Sequence, residues 1–213
     1  MPASVPVSIE NILFDADGVL QYATRHWQPA LQSVLMLEDE MQAKAVVDDI
    51  FEAETEVLES TTGFIEKLEA VLAKWDRASF LPETLGVLHA IEIHGDVIQT
   101  VQAIRRSGIR CHIGSNQQVL RAKHMSEDLN YRSLFDGEFY SCFVGAAKPQ
   151  IRFFKKVVAQ LDCDASAVLF LDDRAENVEA AKQAGLNAMV FFGKDGALVL
   201  QRQLARFRVF VDH

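Results

Sequence analysis

Short apolar runs that end in polar clusters recur along this chain. Residues 11–14 lead into Asp15-Ala16-Asp17-Gly18, residues 109–113 into Gly114-Ser115-Asn116, and residues 167–171 into Asp172-Asp173-Arg174. Apolar stretches this short, closed by turn-forming residues, predict buried strands whose carboxyl ends carry the polar groups. Residues 188–192, just after Gly185, predict a fourth strand. Between the strands the apolar spacing changes to that of helices: Val97, Val101 and Ile104 before Ser107-Gly108; Phe154, Val157, Val158 and Leu161 after Pro149; and residues 178–184 up to Gly185. Strands alternating with helices imply an α/β fold with a parallel, doubly wound sheet. Ligands of such sheets gather outside the carboxyl ends of the strands, so clusters far apart in sequence are expected to meet at one crevice.

The segment 21–88 breaks this alternation. It is acidic and helical in pattern, with runs over residues 41–58 and 63–75, and it is longer than a strand-to-helix crossover needs. The expected division is therefore a Rossmann-like core, residues 1–20 and 89–213, with an inserted helical cap, residues 21–88. A chain of 213 residues suits a core with such an appendage better than two full domains.

Composition narrows the partners. A formal net charge of −9 disfavours nucleic acid and anionic membrane surfaces, and no stretch is long and apolar enough for a membrane span. Cys111, Cys142 and Cys163 form no CxxC pair, which fits a reducing compartment. The first eight residues lack a basic start followed by an apolar run, so a cytoplasmic location is expected. His112, inside a strand, is expected to be a core residue rather than a ligand.

Taken singly, the polar clusters are weak signals. Asp-x-Asp-Gly also occurs in ordinary turns, Asp172-Asp173 also suits a helix N-cap, and Lys148-Pro149 also suits a helix start. Four such clusters in chain order, three on strand ends, point to chemistry. Asp15-Ala16-Asp17-Gly18-Val19-Leu20, Ser115-Asn116, Lys148-Pro149 and Asp172-Asp173-Arg174-Ala175-Glu176-Asn177 together resemble the four motifs of the haloacid dehalogenase-like hydrolases. The stretch 169–186 is close in style to the sugar-phosphate and epoxide-hydrolase-related phosphatases that carry a helical cap after the first motif.

The resemblance implies a phosphatase acting on a small-molecule phosphate. Asp15 would be the nucleophile, since an aspartate is anionic without an activating base. Asp17 would be general acid and then base, its pKa raised by neighbouring carboxylates. A phosphate dianion meeting those carboxylates is repelled by about 4 kcal/mol per contact at 4 Å and an effective dielectric of about 20. A divalent cation is therefore expected, and all-oxygen ligands suit Mg2+. Its ligands would be the side chains of Asp15 and Asp173 and the backbone carbonyl of Asp17, with Asp172 either direct or behind. Lys148 and Ser115 would hold the phosphoryl oxygens, with Asn116 as helper. Arg25 is a candidate for a second anionic group of the substrate, and Trp27 for stacking on a sugar face or for packing at the hinge.

Two positions depart from the family pattern: Gln150 stands where an aspartate often follows the Lys-Pro pair, and His94-Gly95 where Pro-Gly is common. Phosphomutase, 2-haloacid dehalogenase and non-catalytic binding protein are the alternative readings. Retention of Asp17 argues against the dehalogenase. Association as monomer or homodimer is left open.

Overall fold

The computed structural model describes residues 8–210. The N-terminal residues read for targeting signals, and the outermost ends of the expected core, lie outside that range. In chain order the elements are β1 (Asn11–Phe14), β2 (Gln21–Ala23), α1 (Trp27–Val34), α2 (Glu40–Thr55), α3 (Phe64–Lys74), α4 (Leu81–Leu88), β3 (Ile91–Ile93), α5 (Gly95–Arg106), β4 (Arg110–Ser115), α6 (Val119–Glu127), α7 (Tyr131–Leu134), β5 (Gly137–Tyr140), α8 (Ser141–Val144), α9 (Ile151–Leu161), β6 (Val168–Asp172), α10 (Ala175–Gln183), β7 (Asn187–Val190) and α11 (Gly196–Leu204).

Five strands form a parallel sheet in the order β5-β4-β1-β6-β7. The first strand is central, because the chain winds outward from it in both directions. Side chains alternate across a strand, and the sequence uses both faces. Ile12, Phe14, Leu169 and Leu171 join one apolar cluster with Val97, Val101, Met125 and Leu200. Leu13, Val168 and Phe170 join a second with Phe153, Phe154, Val157 and Val178. Helices α5, α6 and α11 thus cover one face, and α9 and α10 the other, as a buried parallel sheet requires.

The four expected strands are present, the first with the expected ends and the other three with ends shifted by one or two residues. The pattern missed β5. Gly137-Glu138-Phe139-Tyr140 mixes polar and apolar residues because it is an edge strand, paired only with β4 and half-exposed at its start. His112 is buried, meets Asn11 Oδ1 at 3.1 Å, and is pushed down to about 4 by burial.

Residues 27–88 form four helices around a separate apolar cluster that includes Leu31, Val46, Ile50, Phe64, Leu68 and Leu88. Where the chain leaves and re-enters the core, β2 and β3 pair as an antiparallel ribbon, with Gln21 opposite Ile93. The sequence carried no clear sign of this ribbon, since its strands are three residues each. No described helix is long and apolar enough to cross a membrane.

Asp136 ties three elements together at the edge of the sheet. Its carboxylate accepts from Arg105 Nη2 at 2.7 Å and Nε at 3.0 Å, and from the Cys111 backbone N–H at 2.8 Å. Burial alone would raise its pKa, but the bonds from Arg105 and Cys111 outweigh it and hold the carboxyl below its ordinary value. A carboxylate depressed in this way stabilises the fold above the ordinary carboxylate pKa, and its contribution is lost as pH falls through the depressed value. Asp136→Asn should lower stability at pH 7 by roughly 1.5–3 kcal/mol, read by urea denaturation, and the gap to the native protein should close on acidification.

Candidate active site

The carboxyl ends of β1 and β6 lie side by side, with Phe14 in register with Leu171 and the Asp15 N–H donating to the Leu171 carbonyl at 2.8 Å. Parallel pairing therefore brings Asp15 and Asp172 together although 157 residues separate them in the chain (172 − 15). Lys148 enters from the loop before α9 and bridges them, Nζ lying 2.8 Å from Asp15 Oδ1 and 2.6 Å from Asp172 Oδ2. All three side chains are buried. Asn116, at the end of β4, fixes that loop: its Nδ2 donates to the Lys148 carbonyl at 2.8 Å, and its Oδ1 accepts from the Lys148 N–H at 2.8 Å.

Asp172 has both oxygens occupied. Oδ1 accepts from the Arg174 N–H at 2.8 Å and from Asn177 Nδ2 at 3.0 Å, and Oδ2 accepts from Lys148 and from Asn177 at 3.0 Å. These bonds suit it to hold Lys148 rather than to face a ligand. Asn177 is therefore buried in the site and is not a surface helix residue.

Asp15 Oδ2 and the half-buried Asp173 carboxylate, by contrast, meet no donor from another side chain among the described residues. Carboxylate oxygens of Asp15, Asp172 and Asp173 all lie within 4.8 Å of one another. Burial pushes the Asp15 pKa up to about 7, with Lys148 lowering it and Asp172 raising it. Asp173 is raised by burial and by the charge of Asp172. Three carboxylates less one ammonium leave a formal charge of −2 (−3 + 1) in this cluster. An all-oxygen set with that charge fits a divalent cation such as Mg2+. Gly18 makes room for the Asp173 side chain: at φ +82°, a Cβ there would lie 2.3 Å from Asp173 Oδ2.

Asp17 has a different environment from the one expected. Its Oδ1 accepts from Arg121 Nη2 at 2.7 Å and Gln21 Nε2 at 2.9 Å, and its Oδ2 accepts from Gln117 Nε2 at 2.7 Å. Burial would raise its pKa, but the Arg121 charge and these bonds hold it below the usual carboxylate value. The expectation that neighbouring carboxylates raise it is thus corrected. The reason is a buried guanidinium delivered by α6, 104 residues away (121 − 17). Arg121 and Gln117 left no mark in the sequence, being one base and one amide near the start of an ordinary helix.

Ser115 is buried at the end of β4, where its Oγ accepts from Gln117 Nε2 at 3.2 Å. Trp27 packs with Phe51, ring centres 5.2 Å apart, and with Arg121, whose guanidinium carbon lies 5.0 Å from its ring centre. Those contacts favour hinge packing over stacking on a sugar. Arg25 is exposed and, among the described residues, makes no ion pair. It lines a cavity of about 620 Å³ together with Asp17, Gly18, Tyr22, Trp27 and Phe51. The departure at Gln150 is explained by a contact across the rim: its Nε2 donates to Glu59 Oε1 at 2.7 Å, and Arg152 pairs with the same carboxylate.

The Asp15 loop, the buried Lys148 and the Asp172-Asp173 pair thus meet at the carboxyl ends of a parallel sheet. The haloacid dehalogenase-like hydrolase family model matches residues 9–185, and the chain belongs to that family. It is 26% identical over 194 residues to a protein of Mycobacterium tuberculosis named phosphatase MT3486, covering 85% of this chain and 87% of that one. Sesquiterpene phosphatase astK of Aspergillus oryzae is 39% identical over 64 residues, 30% of this chain and about a third (33%) of that protein's length. Among solved structures, a HAD-like family hydrolase of Porphyromonas gingivalis superposes with a TM-score of 0.75 at 21% identity, over 93% of this chain and 98% of that one. A HAD family enzyme of Bacteroides thetaiotaomicron, in complex with magnesium and inorganic phosphate, does so with a TM-score of 0.67 at 19% identity, over 86% and 94%. At these identities the structures show the fold alone.

The raised Asp15 pKa links stability, pH and metal. A carboxyl raised on folding favours the fold below its ordinary value, and that contribution is lost as pH rises from about 4 through about 7. A cation bound to the ionised form should reverse the loss. The increase in Tm on adding magnesium to chelator-treated protein should therefore grow between about pH 5 and about pH 8; thermal unfolding read at each pH checks it.

Proposed function

We propose that this protein is a magnesium-dependent phosphatase that hydrolyses a small organic phosphomonoester through an aspartyl-phosphate. The observation that carries the reading is Lys148 bridging Asp15 and Asp172 while Asp15 and Asp173 stay open beside Gly18. The names of phosphatase relatives support it. The structural neighbour in complex with magnesium and phosphate is in keeping with it.

Asp15 attacks phosphorus, and the bond to the leaving oxygen breaks. The side chains of Asp15 and Asp173 and the Asp17 carbonyl would hold Mg2+, which would supply the charge neutralisation that a phosphate dianion needs near these carboxylates. Lys148 balances negative charge on Asp15 and the phosphoryl oxygens, and Ser115 with Asn116 holds the loop ends around them. In the second half-reaction water attacks the aspartyl-phosphate and Asp17, ionised in its nest of donors, takes the proton. The proton so gained is the one the carboxyl gives to the leaving oxygen of the next turnover, with Arg121 keeping the group oriented. Residues 21–88 act as the cap that closes the cavity, and Arg25 at its rim meets any second anionic group of the substrate. A small metabolite such as a sugar phosphate fits the space of about 620 Å³.

The test is phosphate release from p-nitrophenyl phosphate and from a panel of small phosphomonoesters, with magnesium and with chelator. Activity should require the metal, and Asp15→Asn should abolish it. Lys148→Met should cut kcat by on the order of a thousandfold, as loss of a preorganised charge does. Gly18→Ala should raise the magnesium concentration needed for half-maximal rate by about tenfold or more, through crowding of Asp173. A native chain inert toward every substrate with metal present would sink the reading.

A further inference from the structure

We propose that Arg121 is a positioning residue that couples the seating of the cap to the orientation of Asp17; this rests on the phosphatase reading above. Arg121 belongs to the core helix α6 and is 1% exposed. A buried guanidinium is costly unless its donors are used; here Nε has no partner among the described residues, and the two terminal nitrogens are spent on Asp17 and on the end of α4. Nη2 donates to Asp17 Oδ1 at 2.7 Å. Nη1 donates to the backbone carbonyl of Leu88. The guanidinium also lies 5.0 Å from the ring centre of Trp27.

Leu88 is the last residue of α4 and Trp27 the first of α1, so they mark the two ends of the helical unit. Carbonyls in the last turn of a helix lack intrahelical partners and carry the negative end of its dipole. The Leu88 carbonyl is therefore a natural place for a core cation to grip the cap. Glu54 of α2 feels the same guanidinium. Any swing of the cap on the β2–β3 ribbon pulls on Leu88 or Trp27, and through them on the fork that holds Asp17. With the fork displaced, Asp17 keeps only Gln21 and Gln117. A planar fork can serve the carboxylate and the carbonyl at once, which a single ammonium does poorly.

A merely structural buried arginine would lower stability when removed without acting through Asp17. The two are separated by a double-mutant cycle on the full chain, with kcat and KM measured for phosphate release from p-nitrophenyl phosphate under saturating magnesium. Arg121→Met is expected to lower kcat by about tenfold or more with KM within about threefold, and to have an effect of about twofold or less in an Asp17→Asn background. Arg121→Lys should recover part of the kcat lost by Arg121→Met. Circular dichroism checks folding, and if Arg121→Met does not fold, Arg121→Lys runs the same cycle. Equal losses in both backgrounds, or a change confined to KM, would overturn the proposal. An inert native chain sinks the phosphatase reading and the role of Arg121 with it, whereas an active native chain with equal losses sinks Arg121 alone.

Discussion

The site depends on one electrostatic constraint: parallel pairing of β1 with β6 forces two aspartates, Asp15 and Asp172, together out of water. At an effective dielectric of about 20, two unit charges about 4 Å apart repel by about 4 kcal/mol. Lys148 relieves this by bridging them, and Asn177 and the Arg174 N–H spread the charge of Asp172 further. What is left uncompensated is carried by Asp15 and Asp173 toward the open side. The fold thus stores negative charge where a divalent cation and a phosphoryl group can use it.

That arrangement could not be built at an arbitrary point of the sheet. In the order β5-β4-β1-β6-β7, the chain winds outward from β1 in both directions, and the connections on either side of β1 diverge and leave a crevice. Ser115 and Asn116 reach the crevice from β4 on one side, and Asp172 and Asp173 from β6 on the other. Lys148 is not on a strand at all. The reciprocal bonds between Asn116 and the Lys148 backbone bring its loop to the crevice from the adjacent strand.

Residues at strand ends were readable in the sequence because an apolar run, a polar cluster and a helix start leave a pattern of fixed order. Asp15, Ser115 and Asp172 stood out for that reason and Lys148 by the proline that follows it before a helix, and the structure brings Asp15, Lys148 and Asp172 into contact. Side chains that act across the chain left no such pattern. Arg121 sits on a helix with mixed polarity, and its burial becomes visible only once Asp17, Leu88 and Trp27 surround it. Gln150 read as a departure from the family until Glu59, in the turn after α2, met it across the rim. Both cases are pairings between the core and the inserted helices, whose relative placement no local periodicity encodes.

Asp15 and Asp17 show how far the motif alone can carry a role. They are two residues apart on one loop, yet one carboxyl is pushed up to about 7 and the other is held below its ordinary value. Burial acts on both, so burial does not separate them. For Asp15 the lysine is shared with a second carboxylate, and the shared charge falls short of the burial penalty. For Asp17 a guanidinium and two amides converge on one carboxylate and exceed it. Environments that push two titratable groups apart assign different proton-handling roles to them. Gln21 is local, but the other partners, Gln117, Arg121, Lys148 and Asp172, come from segments remote from the loop itself. Two aspartates at that spacing share one loop, and it is mainly the distant segments that push their pKa values in opposite directions.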